Sequence, residues 1–379
     1  MNTLSMTRPD LSNWLNPEHN RWSLRNAREL LPTGEVAAAA TARPLTRAID
    51  TSIADITFES NSGPRMISEF LEASRSDSLT VVKNDDLIFE WRTEGMAEDE
   101  VHLIFSVTKS VTSLLTGALV RECGLDVDAP VTKYVPEIAT SAFGDATVRN
   151  LLDMTVSMKF VEDYTPGPDV RDYRYSVGWY PAPWDAPRLH DFLASRAKEG
   201  EHGERFRYLS PVTDMLGWVA EAVSGMPYHR ALSKFIWQPM GAEHAANITI
   251  DRNGSPRAAG GLSTIPRDLA RVGMLVRDGG MGTVDAGFLT DVFNNGSHDQ
   301  WANGDFKDVF ANGIYRSCFY KPGVDPDVVM GIGIYGQMLY IDRPRGVVIA
   351  KQSSWHDPDE AIDHDDAYLL CRTIARSLG

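Results

Sequence analysis

Cysteine is scarce in this chain. Its 379 residues hold three, Cys123, Cys318 and Cys371, far apart and in no CxxC pair. So sparse and odd a count excludes a disulfide framework and fits a reducing compartment. Long apolar runs are missing too: none approaches the ~18 residues of a membrane span. The opening stretch, MNTLSMTRPDLSNWLNPEHNRW, has no apolar core and no small-residue cleavage site, so no secretory signal is read there. Positive charge is in deficit. Lys and Arg total 37 against 52 Asp and Glu, a formal net charge of −15. That balance argues against nucleic-acid binding, which needs a basic face. The expectation is a cytoplasmic protein with neither a nucleic-acid nor a membrane partner.

What is present is ordinary for a folded protein: 43% hydrophobic and 23% charged residues, in a length that suits one large or two ordinary domains. Residues 1–45, with Pro, Asn, Trp14 and Trp22, read as an arm that wraps a domain. Leu79–Lys83, the turn Asn84-Asp85-Asp86 and Leu87–Trp91 read as a β-hairpin. A second hairpin, Met338–Ile341 and Val347–Ala350, lies near the other end, followed by a helix from about 359 to 378. Between about 129 and 246 the signals are helical or loop-like. The expected fold is α/β: an antiparallel sheet flanked by helices, built from both ends of the chain, with an inserted, mainly α-helical domain. The boundaries read as 1–45 for the arm, 46–128 with 247–379 for the α/β part, and 129–246 for the helical part. Clefts between such parts are common ligand sites.

The segment HLIFSVTKSVTSLLTGALV, His102–Val120, begins apolar, presents Ser106 and then Lys109, and continues as an amphipathic helix. Three residues apart on a helix, two side chains share a face, ~5–6 Å between Cβ atoms. A serine at a helix start sits by free N–H groups that favour a developing anion. A serine hydroxyl needs a base to take its proton, and a lysine serves when burial lowers its pKa. Ile104, Phe105, Val107, Leu114 and Leu115 could supply that dry setting. This is the SxxK arrangement of penicillin-recognising hydrolases. Roughly one or two SxxK matches are expected by chance in such a length. Ser195-Arg-Ala-Lys198, followed by Glu-Gly-Glu-His-Gly-Glu, is read as one, with a lysine of high pKa. For Ser106 and Lys109 the competing reading is a helix-capping serine and a lysine reaching to solvent. Locally the two readings stand level.

Tyr208-Leu-Ser210 precedes a helix running from Pro211 to Gly225, with Ser210 as its natural cap and Pro211 in the first position. A tyrosine held there beside a cation can carry a lowered pKa and act as base, then acid. The competing reading is a packing tyrosine. Tyr315-Arg-Ser317 has the same form with no helix after it.

Ser106-Val-Thr-Lys109, Tyr208-Leu-Ser210 and Gly331-Ile-Gly-Ile-Tyr-Gly-Gln337 stand in the order found in the class C β-lactamase-like serine hydrolases. Pro17–Trp22, Val131–Glu137, Glu162–Tyr164, Ser176–Trp179, Gly260–Ser263, Arg267–Gly273 and Ser353–Trp355 extend the likeness over nearly the whole chain. The chain most resembles the nylon-oligomer amidases of that group and their carboxylesterase relatives. The resemblance implies an acyl-enzyme on Ser106, its proton taken by the Lys109–Tyr208 pair. It also implies an oxyanion site made by the backbone N–H groups of Ser106 and Ile334, and no cofactor. Tyr208 would then protonate the leaving amine or alcohol. The block after Gly331 has the small, flat character of an edge strand close to a substrate.

The resemblance also locates the substrate contacts. Tyr164 stands where a family tyrosine closes over the substrate amide. Ala259 replaces an asparagine, Arg174 falls where an acidic residue holds an amino end, and Tyr320 stands for a pocket tryptophan. The Lys-Thr-Gly triad that anchors a β-lactam carboxylate is Gly331-Ile332-Gly333 here. The expected substrate is a small carboxylic ester, with linear amides of the aminohexanoate type cleaved weakly. The alternatives are a β-lactam-recognising D-peptidase or weak β-lactamase, and a non-catalytic ligand-binding relative. The tail from Trp355 to Asp366 carries two histidines at no metal-ligand spacing and is read as an acidic helix start, with no metal. Asp342–Gly346 is a hairpin turn, and Gly260-Gly261 a tight turn into a helix. A homodimer is the expectation from base rates.

Overall fold

The computed structural model describes residues 8–163, 167–359 and 361–379. Its main sheet is eight-stranded and draws on both halves of the sequence. The hairpin Ser76–Lys83 and Asp86–Arg92 pairs with Val347–Ser353, which continues through Gln337–Asp342 and Val328–Gly333 to Phe319–Lys321 and Ile314–Arg316. These pairings are antiparallel; Thr46–Arg47 adds a short parallel edge. Asn84, at φ 53°, turns the first hairpin, a conformation that asparagine tolerates well. Alternating Val, Ile and Leu residues send apolar side chains to both faces, so both are covered. The helix Pro266–Arg277 packs on one and Ala361–Ser377 on the other.

Among the described residues, the stretch from Val131 to Trp237 contains helices and helical turns but no strand longer than an isolated bridge. The arm does more than wrap. Thr33–Val36 pairs with Ala246–Thr249 in a second, four-stranded sheet that ends at His102–Leu103, three residues before Ser106. Trp14 donates from Nε1 to the carbonyl of Trp179 (3.1 Å) and meets that ring edge-on.

The helix Val107–Cys123 differs from the amphipathic expectation. Val107 through Leu119 are all buried, because the main sheet, Ser210–Ser224 and Val284–Phe288 pack around it. Several of its small polar residues find acceptors inside: Ser110 Oγ donates to the Cys318 carbonyl (2.7 Å) and Thr112 Oγ1 to that of Ala258 (2.7 Å). A helix packed on every side has no need of a polar face. Val328–Gly333 also differs, being an interior strand of the sheet. Its neighbour Phe319–Lys321 is paired to it at Tyr320–Met330, beside which Gly331–Gly333 runs on toward Ser106. Gly260-Gly261 leads into the strand Leu262–Thr264 before the helix begins at Pro266.

Candidate active site

From His102 to Leu119 every residue is buried except Ser106, which is partly exposed. Ser106 occupies the N-cap position of Val107–Cys123, yet its side chain caps nothing. Its Oγ instead accepts a hydrogen bond from Lys109 Nζ at 2.8 Å. Lys109, at 1% exposure, also donates to Ser210 Oγ (3.1 Å) and to the Ala259 carbonyl (2.8 Å). Three acceptors use all three donors an ammonium can offer, and leave a neutral amine a lone pair for Ser106. Burial drives the Lys109 pKa down from 10.5 to about 7; Glu162 and Asp214 oppose that fall and Arg257 adds to it. The amine is thus poised near neutrality, where a base is most useful.

Tyr208 lies over this lysine, Nζ 4.9 Å from its ring centroid, and hydrogen-bonds to Ser106 and Tyr320. Its pKa moves opposite to the expectation: burial pushes it well above the ordinary value, outweighing the bonds to Ser106 and Tyr320. A tyrosine shifted this way keeps its proton at neutral pH.

Ser210 is the first residue of the helix Ser210–Ser224, with Leu209 at the cap. Its hydroxyl donates to Glu162 Oε1 (2.6 Å) while accepting from Lys109, and its N–H donates to Glu162 Oε2 (2.8 Å). The carboxylate supplies what a cap would, which frees the hydroxyl for the site. Gly225 closes the helix at φ 65°. On the same helix Asp214, fully buried, binds Arg257 Nη1 (2.6 Å) and accepts from the Ala259 N–H (2.8 Å). Tyr173 donates to Asp214 as well, at 2.5 Å. This cluster holds the backbone of Ala259, whose carbonyl receives Lys109.

The strand Val328–Gly333 delivers Ile334 to the serine. A Cβ on Gly333 would lie 3.1 Å from the Ser106 nitrogen and 2.8 Å from the Ile104 carbonyl, so only glycine permits the approach. Gly331 is as confined, 2.9 Å from Ser110 Oγ by the same measure. Phe105 and Tyr335, beside these two segments, both take left-handed backbone conformations, at φ 41° and 59°.

Ser106, Lys109, Tyr208, Ala259, Tyr320 and the Ile334 segment therefore meet at one place. Tyr320 meets Tyr315 and Trp301 edge-on and Tyr208 at a tilt, with centroids 4.8–6.4 Å away. Ala259 is fully buried and meets the site through its carbonyl. Arg174 donates to Tyr180 OH (2.9 Å) and lies near enough to Tyr335 to act on it electrostatically. Tyr164 lies outside the described residues. Lys198, of the second SxxK match, is bound to Asp145 at 2.6 Å, which raises its pKa, while Ser195 Oγ turns to the Phe192 carbonyl.

The profile of the β-lactamase family matches residues 64–371. The chain belongs to the β-lactamase family. It is 36% identical over 381 aligned residues to the 6-aminohexanoate-dimer hydrolase of Paenarthrobacter ureafaciens, covering 98% of this chain and 94% of that protein. Esterase EstB of Burkholderia gladioli is 29% identical over 171 residues, 41% of each chain. Among solved structures, a protein provisionally assigned as a 6-aminohexanoate-dimer hydrolase from Bacillus anthracis superposes with a TM-score of 0.87 at 24% identity. That match covers 100% of this chain and 98% of the other. EstCE1, a hydrolase with promiscuous acyltransferase activity, gives 0.64 at 14% identity over 81% of this chain and 96% of its own. The protein is a hydrolase of the serine β-lactamase-like kind, and its expected α/β fold is that of the family.

Sequence reasoning took Ser210 for a cap and gave Glu162, Asp214 and Arg257 no role. Among the described residues no group of three or more His, Cys, Asp or Glu could hold a metal ion, and no helix is long and apolar enough to cross a membrane. His364 packs on Trp355 at 4.6 Å between ring centroids, and burial pushes its pKa down to about 4.

Proposed function

We propose that the protein hydrolyses small carboxylic esters, and linear amides more slowly, through an acyl-enzyme on Ser106. The carrying observation is Lys109: a buried amine, pKa about 7, whose Nζ lies 2.8 Å from the one side chain of its segment that reaches solvent. Neutral Lys109 takes the Ser106 proton as Oγ attacks the substrate carbonyl carbon. The oxyanion is received by the N–H groups of Ser106 and Ile334. As the carbonyl re-forms, Tyr208 gives its proton to the departing alcohol or amine, and the Lys109 ammonium restores it. Water then attacks the acyl carbon, passing one proton through Lys109 to Ser106 Oγ and releasing the acid.

Tyr164, Arg174, Ala259 and Tyr320 are proposed to face the substrate. The nylon-dimer activity named for the Paenarthrobacter relative is proposed to be weak here, since Arg174 would repel a substrate ammonium group. Gly331 speaks against β-lactam recognition. It offers no cation, and the space for a larger side chain is taken by Ser110. A lysine pushed to neutrality inside a protein speaks against a non-catalytic role, since burying an amine without a use is costly. Sparse, unpaired cysteines favour the cytoplasm, and a homodimer is proposed from base rates. A panel of p-nitrophenyl esters of increasing acyl length, run beside 6-aminohexanoate dimer and nitrocefin, tests the reading. Faster turnover of short esters supports it; nitrocefin as the best substrate overturns it.

A further inference from the structure

Lys109 is held by three acceptors, and one of them is itself held. Ser210 Oγ can donate only one proton. It gives that proton to Glu162 Oε1 at 2.6 Å, so it must meet Lys109 as an acceptor. The second Glu162 oxygen takes the Ser210 N–H at 2.8 Å, so the hydroxyl rotor and the backbone beneath it are both fixed. Glu162 is partly buried and lies two residues before Tyr164, in a segment separate from the Tyr208 loop. Resting on the serine-hydrolase reading above, we propose that Glu162, acting through Ser210, is a positioning residue that aligns Lys109 on Ser106 and sustains its basicity.

The electrostatics agree. The groups acting on Lys109 are Glu162 from its loop, Asp214 from the helix Ser210–Ser224, Arg257 from the turn before Ala259, and Cys318 from the tip of the hairpin formed by Ile314–Arg316 and Phe319–Lys321. Tyr208 covers it. Glu162 is the strongest of these charges and opposes the effect of burial. Asp214 is already engaged by Arg257 and Tyr173, so its charge is largely answered. Among the described residues the hydrogen bonds to Glu162 come from Ser210, and none comes from a cation.

Glu162→Gln keeps the shape and can still accept from the Ser210 N–H, while the charge is lost. The pH profile of kcat/KM for p-nitrophenyl acetate reads the result. Its acidic midpoint should move to lower pH, with a roughly 10- to 100-fold loss in plateau rate. Glu162→Asp, which keeps the charge, should return the midpoint toward that of the unaltered enzyme. Ser210→Ala combined with Glu162→Gln should lose no more rate than the worse single change, since both act along one path. A midpoint unmoved in Glu162→Gln, whatever happens to rate or Tm, overturns the proposal and makes Glu162 a fold contact. Intact-protein mass spectrometry of the same samples separates the two claims. Absence of an acyl adduct on Ser106 in the unaltered enzyme defeats the serine reading. An adduct with an unmoved midpoint defeats only the role of Glu162. Should Glu162→Gln fail to fold, Ser210→Ala alone must still shift the midpoint and lower the rate; an unchanged profile there overturns the proposal as well.

Discussion

Phe105 and Tyr335 lie ring on ring, centroids 5.2 Å apart, and each has a left-handed backbone. One precedes Ser106 and the other follows Ile334, the two residues proposed to receive the oxyanion. Such conformations cost of order 1–3 kcal/mol each for bulky residues, and they persist where packing over-determines them. Trp179 contributes here, 5.9 Å from Phe105, and is itself braced by Trp14 of the arm. Truncating Tyr335 to Ala should let both segments relax. We expect a loss in kcat of about 10- to 100-fold, since a displacement of ~1 Å at a reacting centre costs that much. Steady-state kinetics with a short ester checks it; a change confined to KM would count against the coupling.

Gly333 should be the least replaceable residue of its strand. An alanine Cβ would press on the Ile104 carbonyl and on the Ser106 nitrogen. Gly333→Ala is expected to lower kcat by ~100-fold or more, comparable to losing an oxyanion donor. Rapid-mixing measurement of the acylation burst would locate the loss in that step.

Lys109 trades stability for reactivity. Its pKa falls from 10.5 in the open chain to about 7 in the fold. Between those values the unfolded chain holds more protons than the folded one, so this group's contribution to stability rises with pH across that window. Below about 7 the folded state bears the full cost of a buried ammonium. Lys109→Met should therefore abolish turnover and raise Tm by a few degrees, about 1 kcal/mol or more. The gap in Tm between variant and parent should narrow as pH rises from 7 toward 10. Thermal melts at three pH values decide it, and a gap that widens would contradict it.

Asp214 has the opposite character. Fully buried, it answers Arg257 and fixes the Ala259 peptide. Breaking a buried pair by removing one partner costs about 3–5 kcal/mol. Asp214→Ala should show that loss in urea denaturation, together with slower acylation as the Ala259 carbonyl drifts from Lys109.

Much of this was legible in the residues. The two hairpins carried clear turn and alternation signals, and Ser106, Lys109 and Tyr208 stood in local patterns that the family likeness joined. The misses share a cause: they depend on what lies opposite in space. Nothing near Ser210 in sequence shows a carboxylate 48 positions away replacing its cap. The helix after Ser106 reads as amphipathic because its threonines and serines look like a polar face, whereas inside the protein Ser110, Thr112 and Thr116 bond to carbonyls. The Tyr208 pKa goes the other way because burial of the phenol, which local sequence does not show, outweighs its hydrogen bonds.

The most direct test of the account is where an acyl group lands. The protein is mixed with a p-nitrophenyl ester, quenched during the burst, and digested for mass spectrometry. The account predicts an adduct on the peptide bearing Ser106, and neither adduct nor turnover in Ser106→Ala. An adduct elsewhere, or turnover unchanged in Ser106→Ala, would contradict it.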